Sequence, residues 1–162
     1  MRSMYLDALE FLEEERDAWA PYEALSSLTD DQLEQPVEAA HGWSGRDLMA
    51  HMLAWQGIAL DIARELAVNE TSPTIARVDA EWDAKGDAFN DEIQAEWAAR
   101  PMTEIRESWR TQPGELRGYL TVVPEIRWVK NPAHMNHFVG ETLEHYEEHL
   151  GELRAILDAA RG

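Results

Sequence analysis

Apolar side chains return along this chain at every third or fourth residue with charged ones between them, the spacing of helices that bury one face. Tyr5, Leu6, Leu9, Leu12, Trp19 and Leu25 follow it and predict a first amphipathic helix over residues 3–27, which Pro21 bends or ends early. Thr29 with Gln32 is a capping-box pattern for a short helical turn, after which Pro36 opens a loop reaching Trp43. Ser44 with Asp47 resembles a second capping box. The residues after it keep Leu48, His51, Met52, Trp55, Ile58, Ile62 and Leu66 on one stripe, the second long helix.

Residues 72–100 place Val78, Trp82, Phe89, Ile93 and Trp97 at helical intervals, with Pro73 and Gly86 favouring two pieces. Thr103 is the expected cap of the next helix, which carries Ile105, Trp109, Leu116 and Leu120 to about residue 122 with a kink at Pro113. Pro124 and Pro132 bracket a loop, and a final helix spans about residues 133–160. No stretch alternates with period two between hairpin turns, and no internal repeat occurs. The expectation is an all-α protein, a four-helix bundle with additional short helical segments, forming one domain over residues 1–162.

Composition narrows the partners more than the fold. With 32 Asp and Glu against 14 Lys and Arg the formal charge is -18, which repels both phosphate backbones and anionic bilayers. Nucleic acid and membrane partners are therefore not expected, and a small-molecule substrate is. The absence of cysteine rules out disulfides and thiolate ligands, so any thiol chemistry needs a borrowed low-molecular-weight thiol. Acids interrupt the first apolar turns and no run of about 18 apolar residues occurs, so a cytoplasmic protein without signal peptide or span is expected. Aromatic loops leave a homodimer open.

The candidate chemistry lies in the histidines. His145 and His149, spaced i, i+4, project from one face about one turn apart. At 100° per residue His149 shares an arc with Phe138, Thr142, Tyr146, Leu153 and Ile156, with His145 at its edge; Glu144, Glu147, Arg154 and Asp158 point away. His51 lies on the stripe of Leu48, Trp55, Ile58 and Ile62. One inward histidine is more often a hydrogen-bonded core residue than a ligand. Three together need partners for six ring nitrogens, and a divalent ion satisfies three at once. His51, His145 and His149 are thus the candidate ligands of a transition metal, zinc first, with nickel or iron(II) as alternatives.

Around them Asp47 and Glu141 are read either as carboxylates behind the ligands or as solvated helix acids, the commoner situation. Tyr146 is read as a core tyrosine reaching a backbone carbonyl, and Trp43, Trp82 and Trp128 as packing residues rather than a pocket mouth. His41, in the loop before the second helix, and His134 and His137, three and two turns before His145 and too far along the axis to join its ion, are rim or surface residues. Residues 145–149 also satisfy H-x-x-E-H, a peptidase signature, but Glu148, the required base, projects toward the flank. No catalytic base or nucleophile is assigned.

Trp43, Gly45, Leu48 and His51, with Trp55 following, and a His-x-x-x-His near the C-terminus together resemble the DinB/YfiT-like superfamily. The likeness covers most of the chain in helix order, with specific matches at residues 43–55 and 142–150. It implies a four-helix bundle with one metal ligand from the second helix and two from the last, here His51, His145 and His149. It also implies a thiol-dependent S-transferase or isomerase in which a bound metal deprotonates a small thiol for attack on an electrophile. Trp82, Gly86, Asp87, Phe89 and Asn90 are similar to the ClbS/DfsB-like proteins, which implies the alternative of a metal-free binding or protective protein.

Overall fold

The computed structural model describes residues 5–162, and the described residues form helices and no strand. The first helix (α1, Ala8–Trp19) is capped by Asp7, whose carboxylate accepts from Glu10 N at 2.9 Å; the expected start at residues 3 and 4 lies outside the described residues. At Pro21 the chain tightens into a 3₁₀ helix, Ala20–Ser27, instead of continuing as α-helix. A short helix (α2, Asp30–Glu34) follows with its capping box formed reciprocally by Thr29 and Gln32. Then a loop closed by Val37 N donating to Trp43 O at 3.0 Å leads to the longest helix (α3, Gly45–Val68).

α3 departs from a one-striped helix. Beyond its expected stripe, Met49, Ala50, Leu53, Ala54, Ala59, Leu60 and Ala63 are buried as well, so most of its circumference is covered. A helix apolar on nearly every face becomes the centre of its domain. It is flanked by α4 (Pro73–Lys85), α5 (Asp87–Ala98) and α6 (Met102–Val122). α4 and α5 divide at Gly86, whose φ of 56° is the left-handed value that glycine adopts without strain. The expected cap of α6 is corrected: Pro101, not Thr103, stands at the N-cap, and no side chain caps this end. Pro113 is tolerated inside α6 and buried.

The last rod is not the uninterrupted helix expected. It consists of α7 (Pro132–Val139), one wider π turn (Gly140–Glu144), a single α turn (α8, His145–Glu148) and α9 (Leu150–Arg161), with His149 outside helical geometry at φ -104°, ψ 11°. α1 with its 3₁₀ continuation, α3, α6 and this composite rod are the four longest helical stretches among the described residues. Two apolar clusters fill it. One gathers Phe11, Trp128, Phe138 and Leu116, and the other Trp19, Tyr22, Leu33, Met49 and Ile156. Each such side chain contributes about 1.5–3 kcal/mol by leaving water.

A polar chain crosses this apolar interior. Glu15 on α1 is fully buried and pairs with Arg117 on α6 at 2.6 Å, while Tyr146 donates to its second carboxylate oxygen at 2.9 Å. Gln56 on α3 donates to the Tyr146 hydroxyl and Gln112 on α6 donates to Gln56. Tyr22 adds a bond to Tyr146 O at 2.6 Å. Buried polar groups are stable only when so partnered, and the result pins α8 to three other elements.

Candidate functional site

Three local devices aim the histidines. On α3 the capping box Ser44–Asp47 forms as expected, Ser44 N donating to Asp47 at 2.9 Å, which fixes where the helical register starts and hence where His51 points. Gly45 lets α2 approach closely, since a Cβ there would meet Leu33 Cδ2 at 2.7 Å and Leu33 Cα at 3.4 Å, so the Leu33 side chain would have to shift. The turn before it, with His41 and Gly42 at φ 59° and 85°, delivers Trp43 onto the same spot. On the last rod the π turn re-phases the backbone so that both His145 and His149 face α3. Such single wide turns recur at functional sites.

The rings of His51 and His149 lie 4.6 Å apart, those of His51 and His145 5.3 Å, and those of His145 and His149 6.1 Å. Three imidazoles on one tetrahedral ion, with nitrogens at about 2.1 Å, stand about 5 Å apart centre to centre. The spacing therefore fits a shared ion. The aim of the nitrogens is not yet set: among the described residues no group of three or more His, Cys, Asp or Glu side chains is arranged to hold one.

Each ring has a different environment. His51 is 4 % exposed, and neither of its nitrogens has a hydrogen-bond partner. The Gln94 side chain, whose amide donates to Asp47 O at 3.4 Å, stands near the ring without a hydrogen bond of good geometry to it. Burial above all, then His149 and His145, pushes the His51 pKa down to about 3 against a smaller upward pull from Gln94, so its ring is neutral. His145 is held below the ordinary histidine value, again by burial first; its Nδ1 donates to Gly140 O at 2.7 Å, which leaves Nε2 with a free lone pair. Nδ1 of His149 is buried without a hydrogen bond, 3.5 Å from Glu152 Oε1, and Trp43 stacks on the ring at 5.4 Å. Trp55 stacks on His145 at 5.0 Å and is itself fixed by donating to Asn90 at 2.7 Å.

The histidines open on a pocket of about 620 Å³ between α3, the α4–α5 pair and the last rod. Trp43 and Trp82 line it, so two of the tryptophans expected to pack form a mouth; Trp128 is fully buried and packs. Asp47 serves the helix cap rather than a histidine. Glu141 is not a solvated acid either: it is buried, accepts from His137 Nδ1 at 3.2 Å, and burial raises its pKa. His137, expected at the rim, lines the same pocket between Glu141 and Asp79. The i, i+4 spacing of His137 and Glu141 was the available signal. Tyr146 reaches Glu15, a carboxylate, where a backbone carbonyl was expected. His41 is exposed, and His134 staples Arg127 O at 2.6 Å.

Residues 12–146 match the profile of the family described as the mycothiol maleylpyruvate isomerase N-terminal domain. The chain belongs to that family. The mycothiol maleylpyruvate isomerase N-terminal domain is DinB-like, in agreement with the resemblance carried by Trp43, Gly45, Leu48 and His51. The matched span includes His51 and His145 and ends three residues before His149. No curated protein and no solved structure matches the chain.

Proposed function

We propose that this protein is a metal-dependent small-molecule transferase or isomerase of the mycothiol maleylpyruvate isomerase type, with His51, His145 and His149 as ligands of a divalent transition metal. One observation carries the reading. A 96 % buried imidazole with two orphaned nitrogens, His51, stands at ligand spacing from two other imidazoles beside an open pocket. A buried polar group without a partner costs about 1–3 kcal/mol, and an ion shared with His145 and His149 would remove that cost at the one His51 nitrogen that ligates it. An ion with three protein ligands keeps an open position and lowers the pKa of a thiol or water placed there.

The chain's own residues do the rest of the work in this proposal. Gly140 O fixes the tautomer and turn of His145, Glu152 stands behind His149, and the Trp43 and Trp55 planes hold the rings upright and keep water from them. With no cysteine in the chain, the thiol comes from a small molecule, as the family's name indicates for mycothiol. A second reading, a metal-free binding protein, draws on the ring nitrogens not being gathered to one point.

Elemental analysis of protein purified without chelator separates the two. The expected result is about one equivalent of zinc, nickel or iron per chain, lost in His51→Ala and His149→Ala, with metal-dependent turnover in a panel of small thiols and electrophiles. No metal in the wild type after reconstitution, or unchanged metal in both variants, overturns the metal reading and leaves the binding protein.

A further inference from the structure

Six carboxylates line the histidine pocket, Asp79, Asp83, Asp87, Glu141, Glu144 and Glu148, and no lysine or arginine does. His137 bridges Asp79 and Glu141 and offsets at most one of these charges. Among the described residues Asp83, Asp87, Glu144 and Glu148 have no ion-pair partner and are exposed at the mouth. The two grooves of comparable size differ, although a smaller one beside α1, with Glu14, Asp17 and Glu147, is likewise without a cation. The groove beyond α3 carries Arg64, Arg77 and Arg100 among its acids, and the one beside α6 carries Arg106, Arg110 and Arg117.

The second observation is aromatic. Trp82 is 45 % exposed and stands edge-on to Trp55, ring centres 6.1 Å apart, with the Trp43 plane across the pocket on His149. Behind them His51, with its buried and unpartnered nitrogens, lines the same pocket. Aromatic faces ringed by carboxylates attract organic cations, through the ring quadrupole and through the field of the acids.

Resting on the proposed function above, we propose that the pocket selects substrates bearing an ammonium or similar organic cation and rejects anionic ones. The cation sits among Trp55, Trp82 and the mouth carboxylates, and the reacting end of the molecule faces the histidines. A carboxylate substrate, which the family's name would suggest through maleylpyruvate, must cross Asp83, Asp87, Glu144 and Glu148 with no cationic side chain to receive it. A dication on the histidines would cancel only part of the wall.

The test is calorimetric titration of the full chain, chelated and then zinc-loaded, with three aryl probes of different charge: benzyltrimethylammonium, benzyl alcohol and phenylacetate. In the chelated protein the cation is expected to bind about 10-fold or more tighter than the alcohol, with no binding of phenylacetate. Its affinity is expected to fall several-fold as salt rises from about 20 to about 500 mM. Asp83→Asn/Glu144→Gln, both exposed positions, is expected to lose about 5-fold for the cation while leaving alcohol binding, thermal melting and metal content unchanged. Equal binding of the three probes, tighter binding of phenylacetate to the chelated chain, or no effect of the double variant overturns the proposal. Cation selectivity in a chain that never takes metal sinks only the metal reading, and metal uptake without charge selectivity sinks only this one.

Discussion

Replacing Arg117 with Met leaves the fully buried Glu15 carboxylate without its counter-charge. The guanidinium contacts both carboxylate oxygens, Nε at 2.6 Å and Nη2 at 3.4 Å, and only the Tyr146 hydroxyl, at 2.9 Å, remains afterwards. Breaking a buried ion pair from one side costs about 3–5 kcal/mol, because the surviving charge cannot reach water. For a domain of this size that lowers the melting temperature by roughly 10 °C. Removing the charge as well, in Glu15→Gln/Arg117→Met, keeps an acceptor for Tyr146 and should return the protein to within about 2 kcal/mol of wild type. Urea denaturation of the four proteins of this cycle measures the coupling directly. If the single and double variants are equally destabilised, or if Arg117→Met costs less than about 1 kcal/mol, the pair does not hold the bundle as described. The same variant reads out on the site, because Tyr146 follows His145 in the chain: weaker metal uptake should accompany the loss of stability.

Three further outcomes follow from individual contacts. In the metal-free protein His51 is neutral when folded, with a pKa of about 3 against 6.5 when unfolded. Its contribution is complete above that unfolded value and is lost as acid protonates the unfolded chain. It amounts to roughly 2–3 kcal/mol between pH 6.5 and 4.5, a slope that His51→Leu should reduce in urea titrations at several pH values. Gly45→Ala forces its new methyl against Leu33 and should cost about 1–2 kcal/mol by thermal melting; an unchanged midpoint would show that the Leu33 side chain simply turns away. Glu65 is penalised by burial but held below the usual carboxylate range by Ser72 Oγ at 2.5 Å, Thr74 N at 3.0 Å and Thr74 Oγ1 at 2.8 Å. Glu65→Ala should cost about 1–3 kcal/mol at neutral pH, most of it disappearing as acid titrates the wild-type carboxylate through its lowered folded pKa.

Helix by helix, the sequence was informative wherever a local rule operates. The boxes Thr29–Gln32 and Ser44–Asp47 and the break at Gly86 depend on residues within one turn of each other, and each forms where its residues predict. Likewise the inward arc of Phe138, Thr142, Tyr146, His149, Leu153 and Ile156 is buried throughout, because a helical wheel needs only 3.6-residue periodicity. The family resemblance rested on the same kind of short-range pattern. Asp79 and Asp83, Glu144 and Glu148, and His137 and Glu141 also stood at i, i+4 in plain view. What their spacing lacks is the identity of the surface they share.

That identity is a tertiary matter. Whether a carboxylate is solvated, buried or part of a wall depends on which helix lies opposite, and nothing within one turn of Glu141 or Glu15 encodes that neighbour. The π turn and the break at His149 arise in the same way. Tyr146 must reach Glu15 and Gln56, the histidines must face α3, and a uniform helix from residue 133 to 160 gives way to that long-range demand. The sequence by itself therefore determined the helices, their caps and the three inward histidines, through local sterics and apolar periodicity. Only the packing of one helix against another decided that these rings meet, that a carboxylate-lined pocket opens on them, and that a buried ion pair holds the composite rod that carries two of them.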